Sequence, residues 1–219
     1  MKYTTLIFDC DGTLLDTLTD LANAVNYALK THQFPTRTID EIRADVGNGV
    51  PNLMRQSLPH EVSDNDFKTY LNTFETYYSE HLQDYTIPYD GILDVVDSLK
   101  EQGYKLAIVS NKVQEGVTPL NKQYFGDRFP IAIGHRPDIN RKPAPDMVFQ
   151  ALKELGSTPE ESIYIGDSEV DVETARNSRL LCIGVTWGFR DESVHQELGV
   201  EYIAQTPKDI LTIVEALNK

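Results

Sequence analysis

The 219-residue sequence has little cysteine, little positive charge and no long apolar run. Its 20 Lys+Arg stand against 34 Asp+Glu, a formal net charge of −14. That shortage of cations argues against a nucleic-acid partner and against an anionic membrane surface, both of which are held mainly by Lys and Arg. No apolar segment approaches the roughly 20 residues needed to span a bilayer. The start, Met1 to Thr5, runs into three apolar residues and then Asp9, which is too short for a signal-peptide core. Two cysteines, Cys10 and Cys182, allow one disulfide at most. Each has β-branched or aromatic residues close by, the usual setting of a buried, reduced thiol, and a cytoplasmic protein is expected. Internal repeats and low-complexity tracts are also lacking.

What is present is an alternation of short apolar segments with stretches of helical period. Strands are expected over 4–8, 105–109, 131–134, 162–165, 181–185 and 201–204, and helices over 91–102, 113–125, 145–155, 169–177 and 207–217. Such alternation defines an α/β protein with a doubly wound, mostly parallel sheet covered on both faces. One block breaks it. Residues 16–87 show only helical patterning, with Leu21, Val25, Ala28 and Leu29 in a first helix and Phe67, Tyr70, Leu71, Phe74, Tyr77 and Tyr78 in a longer one. An all-helical insert is therefore expected at 16–87, within a core made of 1–15 and 88–219. The aromatic stripe in the longer helix has the spacing of core packing. His32, His60, His81, His135 and His195 show no metal-ligand spacing and are expected at the surface or locally hydrogen-bonded.

Four polar constellations stand at expected strand ends. The first strand closes on Asp9-Cys10-Asp11-Gly12-Thr13. Residues i and i+2 of an extended chain face the same way, so Asp9 and Asp11 can converge, and Gly12 lets backbone N–H groups turn toward an anion. Taken alone, the pair is equally well explained by turn-forming aspartates. Ser110-Asn111-Lys112 follows the second strand, where a serine serves as helix N-cap or, with the helix N-terminus, as a phosphate ligand. Arg141-Lys142-Pro143-Ala144-Pro145 stiffens the approach to a helix and sets the direction of Lys142. Gly166-Asp167-Ser168, with Asp171 four residues after Asp167, places acids at a helix start, favoured by the dipole and equally suited to Mg²⁺.

Together, the Asp-x-Asp-Gly-Thr and Gly-Asp-Ser-x-x-Asp motifs in this order resemble the haloacid dehalogenase superfamily, specifically its phosphatase branch with a helical cap after the first motif. The resemblance implies that Asp9 is a nucleophile forming an aspartyl-phosphate and that Asp11 is the general acid/base. It implies phosphate binding by Gly12, Ser110, Asn111 and Lys142. It also implies Mg²⁺ as cofactor, held by Asp9, the Asp11 backbone carbonyl and Asp167, with Asp171 in support directly or through water. An acid at position 11 separates phosphoryl transfer from dehalogenation.

Residues 43–54, with Gly47-Asn48-Gly49 and Leu53-Met54, resemble the cap segment of phosphoglycolate phosphatases, and Thr186-Trp187-Gly188-Phe189 resembles their aromatic-glycine strand end. The insert holds 11 Asp+Glu and 5 Lys+Arg, yet Arg37, Arg43 and Arg55 bracket the Gly47-Asn48-Gly49 turn. Arg43, Asn48 and Arg55 are therefore candidates for reading the far end of a doubly anionic substrate, an arginine being suited to bidentate capture of a carboxylate. The expectation is a monomer or homodimer hydrolysing a small phosphate ester, 2-phosphoglycolate foremost. A phosphatase for pyrophosphate, a sugar phosphate or a nucleotide, a phosphomutase, and a phospho-accepting signalling module remain alternatives.

Overall fold

Thr5, Leu6, Ile7 and Phe8 are all buried, as an apolar run covered on both faces of a sheet must be. In chain order, and for all residues 1–219, the computed structural model shows β1 (Thr5–Phe8), β2 (Leu15–Asp16), α1 (Leu18–Thr31), α2 (Ile39–Asp45), α3 (Val50–Ser57), α4 (Asp64–Glu80), β3 (Ile87–Pro88), α5 (Ile92–Glu101), β4 (Lys105–Val113), α6 (Gln114–Leu120), β5 (Ile131–His135), α7 (Asp146–Leu155), β6 (Ser162–Gly166), α8 (Glu169–Ser178), β7 (Leu181–Val185), α9 (Glu192–Glu197), β8 (Tyr202–Ala204) and α10 (Pro207–Leu217). The chain divides into two units, Met1–Leu15 with Pro88–Lys219, and Asp16–Ile87.

The larger unit is built on a six-stranded sheet of order β5-β4-β1-β6-β7-β8 in which every paired neighbour is parallel. This is the doubly wound α/β class expected from the alternation. The order reverses at β1: β4 and β5 extend to one side and β6, β7 and β8 to the other. Ligands of such sheets bind outside the carboxyl ends of the strands at that reversal. Phe8 lies opposite Ile108 of β4 and Ile165 of β6, so the residues that follow in all three strands emerge at one level. On one face Ile7, Val109, Met147, Val148, Tyr164 and Ala175 form a continuous buried cluster. Phe8, Phe125 and Phe129 pack edge to face elsewhere in the core, with centroids 5.7 Å and 5.2 Å apart.

The structure corrects three local expectations. Strand β4 does not stop at Val109 but pairs on, past a register shift, to bring Val113 opposite His135. Ser110 consequently lies inside a strand and is not the N-cap of α6, which starts at Gln114. The helix expected over 113–125 ends as α at Leu120 and continues as a wider π turn, Asn121–Phe125, just after Pro119, which has no N–H to give to the α pattern. Helix α9 was not anticipated; it buries His195, whose Nε2 meets the Val185 carbonyl at 2.9 Å. Both cysteines are free thiols, Cys10 buried and Cys182 partly so.

The smaller unit is all helical apart from its ends, but it has four helices rather than two. Helices α2 and α3 span 7 and 8 residues, too short to display a long apolar period. A Thr38–Glu41 capping box opens α2, and Ser63 caps α4. Leu21, Ala24, Val25, Ala28 and Leu29 of α1 and Phe74 and Tyr78 of α4 are buried, so the aromatic stripe is partly core. Tyr77, half-buried, stacks on Tyr27 at 4.2 Å and on His81 at 4.1 Å, centroid to centroid. The buried Asp20 carboxylate accepts hydrogen bonds from the Tyr85 N–H, the Thr86 N–H and the Thr86 hydroxyl, tying α1 to the returning segment. No helix of the chain is long and apolar enough to cross a membrane.

Candidate active site

Asp9 leaves β1 at the sheet's reversal point, its N–H bonded to the Ile165 carbonyl of β6 at 2.9 Å. Its Oδ1 accepts the Cys10 N–H at 2.7 Å and stands 2.8 Å from Lys142 Nζ. Gly12 turns the chain at φ +86°, and a Cβ there would come 2.5 Å from Asp167 Oδ2. Only glycine combines that conformation with that approach.

Lys142 is tied to Asn111, 31 residues before it, by a pair of hydrogen bonds. Asn111 Oδ1 accepts the Lys142 N–H at 2.8 Å and Asn111 Nδ2 donates to the Lys142 carbonyl at 3.0 Å. The Asn111 side chain thus orients Lys142, a role distinct from the backbone phosphate contact the resemblance implies. Lys142 Nζ then spends its three donors on Asp9, on Asp171 Oδ1 at 2.8 Å and on the Tyr164 hydroxyl at 3.0 Å. The other oxygen of Asp171 accepts the Ser168 N–H at 3.0 Å and the Ser168 hydroxyl at 2.6 Å. Both oxygens of Asp171 are thus saturated by protein donors.

Asp167 follows β6 and is fully buried. Its Oδ1 accepts the Thr13 hydroxyl at 3.0 Å and its Oδ2 the Phe189 N–H at 2.8 Å. The Thr186-Trp187-Gly188-Phe189 segment closes over this side, with the Trp187 indole N–H 3.1 Å from the Thr13 carbonyl.

Oxygens of Asp9, Asp167 and Asp171 all lie within 4.8 Å of one another. Burial, then the charge of Asp171, pushes Asp167 up to about 7, and the same two causes hold Asp9 well above the carboxylate range despite Lys142. Burial would raise Asp171 as well, but Lys142 and Ser168 hold it below its ordinary value. Lys142 stays charged far above its usual range because Asp171 and Asp9 outweigh its burial. With all four ionised, aspartates 9, 11, 167 and 171 would face only two ammonium groups, Lys142 and Lys112, an excess of two negative charges that the raised values of Asp9 and Asp167 reflect. Hard oxygen donors with that deficit fit one divalent cation, for which Asp9 and Asp167 keep lone pairs while those of Asp171 are taken by Lys142, Tyr164 and Ser168.

The larger unit brings together Asp9, Asp11, Gly12, Ser110, Asn111, Lys142, Asp167 and Asp171. Ser110 is buried, and its Oγ accepts the Lys112 N–H at 3.2 Å. Two neighbours were not anticipated. Lys112 Nζ stands 2.9 Å from Asp11 Oδ1, and the Tyr164 hydroxyl lies 3.1 Å from Asp171 Oδ1. The motif Ser110-Asn111-Lys112 could have pointed to the lysine; nothing local marks Tyr164, whose ring reads as core. Arg43, Asn48 and Arg55 belong to the helical unit. Arg55 is committed there, with Nη2 3.0 Å from Asp64 Oδ1 and its guanidinium 3.6 Å over the Phe67 ring, which makes it a brace between α3 and α4.

The sequence profile of the haloacid dehalogenase-like hydrolases matches residues 6–185, and the chain belongs to that family. The phosphoglycolate phosphatase of Pseudomonas putida is 33% identical over 190 residues, covering 84% of this chain and 70% of its own. That of Aquifex aeolicus is 31% identical over 185 residues, covering 84% and 85%. A solved structure from Lactobacillus delbrueckii subsp. bulgaricus, described as a candidate phosphoglycolate phosphatase, superposes with a TM-score of 0.90 at 37% identity, covering 96% of this chain and 97% of that one.

Proposed function

We propose that this protein is a Mg²⁺-dependent phosphatase of small phosphomonoesters acting through an aspartyl-phosphate on Asp9, with 2-phosphoglycolate as substrate and residues 16–87 as its cap. The observation that carries the reading is the cluster of Asp9, Asp167 and Asp171 around Lys142 at the reversal of the sheet. The named activity of relatives at about one-third identity supports the substrate.

Asp9 and Asp167, with the Asp11 carbonyl, would hold the cation, which when bound neutralises their charge and that of the phosphoryl oxygens. The Asp9 carboxylate attacks phosphorus and the ester P–O bond breaks. Asp11 gives its proton to the departing alkoxide, which leaves as the alcohol. Asp11, now ionised, takes a proton from water as that water attacks the acyl phosphate. The bond between phosphorus and Asp9 breaks, and inorganic phosphate and free Asp9 are restored. Lys142 fixes Asp9 in line throughout, and Ser110 with the Asn111 N–H binds the equatorial oxygens.

The test is phosphate release from a panel of phosphomonoesters with Mg²⁺ and with EDTA. The expected result is net release that EDTA abolishes, fastest from 2-phosphoglycolate. Isomerisation of a sugar phosphate without net release, or a stable phosphoprotein without turnover, would overturn it.

A further inference from the structure

Two buried ammonium groups stand at the carboxyl ends of the core strands, and each pairs with a different aspartate. Lys142 is 2.8 Å from Asp9, the nucleophile, and so faces the phosphoryl group that is transferred. Lys112 is 2.9 Å from Asp11, the acid/base, and so faces the group that leaves. The Lys112 side chain is only 4% exposed. Burying an ammonium is costly, and a neutral donor would suffice to orient Asp11, so the charge itself calls for an explanation. The position is also built. Gly116 of α6 is buried, and a Cβ on it would come 3.2 Å from Lys112 Cγ and Cδ, so the helix leaves a groove for this stem.

The reach of Lys112 fits a defined part of the substrate. To protonate the leaving oxygen, Asp11 must come within about 3 Å of it, which puts a cation 2.9 Å from Asp11 within about 6 Å of the same oxygen. A carboxylate on the carbon next to that oxygen has its own oxygens about 3–4 Å from it by ordinary bond lengths, close enough to bond Lys112. We infer that Lys112 is a specificity determinant, selecting phosphomonoesters whose alcohol carries an anionic group one carbon from the ester oxygen. The inference rests on the phosphatase reading and places substrate selection inside the larger unit, in addition to whatever the helical unit provides.

The experiment compares 2-phosphoglycolate with 2-hydroxyethyl phosphate, an ester of the same length whose carboxylate is replaced by a neutral CH₂OH. In Lys112→Met, kcat is expected to fall on both esters because Asp11 loses its partner, and beyond that common loss the ratio of kcat/KM for 2-phosphoglycolate over 2-hydroxyethyl phosphate is expected to fall roughly 10- to 100-fold through KM for the acid, as loss of one charge-assisted hydrogen bond implies. Lys112→Arg should keep much of the ratio. Gly116→Ala, which touches only the stem, should lower it by a smaller factor in a protein whose melting temperature confirms folding. Equal losses on both esters would mean that Lys112 merely orients Asp11, and would overturn the inference while leaving a working phosphatase. If the wild type releases phosphate from neither ester nor any other in the panel, the phosphatase reading fails, and the assignment of Lys112 fails with it.

Discussion

Lys142 Nζ and Asp171 Oδ1 stand 2.8 Å apart with side chains 2% and 0% exposed, an ion pair out of reach of water. Removing one member leaves the other as an uncompensated buried charge, which costs about 3–5 kcal/mol. Lys142→Met is therefore expected to be destabilised by about that amount, because Asp9 and Asp171 both lose their cation. Adding Asp171→Asn to it should recover part of the loss, so the two changes are not additive. Urea unfolding of the single and double variants in Mg²⁺ measures the coupling; strict additivity would show that the pair is not a unit.

Asp9→Asn separates chemistry from folding. Burial and the charges of Asp171 and Asp167 work against the Asp9 carboxylate, so a neutral amide of the same shape relieves a cost. The variant should lose turnover by a factor of at least about a thousand, as expected when a nucleophile is replaced. In EDTA it should melt no lower than the wild type. Phosphate release and thermal melts on the same preparation check both halves, and appreciable turnover would remove the covalent route.

Tyr164 supplies a hydroxyl between Lys142, at 3.0 Å, and Asp171, at 3.1 Å, while burial keeps its phenol protonated far above the usual range. Tyr164→Phe keeps the ring and removes one partner of each charge. It should cost about 1–3 kcal/mol of stability. Because Lys142 still holds Asp9, kcat should fall by less than about tenfold, one hydrogen bond being worth about that much. A loss as large as that of Asp9→Asn would place the hydroxyl in the reaction itself.

These cases mark where the sequence was legible. The strand that delivers Asp9 reads from four consecutive apolar residues, and the alternation of such runs with helices determines the parallel sheet. The acids at 9, 11, 167 and 171 read because short motifs carry them to strand ends. Lys112 stood in a motif that was read, Ser110-Asn111-Lys112, but its role was not, because its partner Asp11 lies 101 positions away. The length of β4 depended on pairing with β5, which is equally non-local. Arg55 was read for its charge alone, and its contacts with Asp64 and Phe67, 9 and 12 positions on, could not be read from the sequence.

Asp167 gives the site a pH dependence whose sign can be worked out. Its value rises from 3.8 to about 7 in the folded metal-free protein, chiefly through burial and then through Asp171. Between about pH 4 and pH 7 the folded chain keeps a proton that the unfolded chain releases, so the contribution of this group to stability is largest below pH 4 and falls as pH rises to 7. Asp167→Asn has no such proton. In EDTA the variant should gain melting temperature over the wild type progressively across that window, by several degrees, and the gain should level off above it. Mg²⁺ competes with this proton and with that of Asp9, so wild-type affinity for the ion should climb across the same window. Paired melts at pH 4.5, 6 and 8, with EDTA and with Mg²⁺, read both effects. A difference between variant and wild type that does not change with pH would show that Asp167 is ionised throughout, and that the two excess negative charges are balanced by the protein alone.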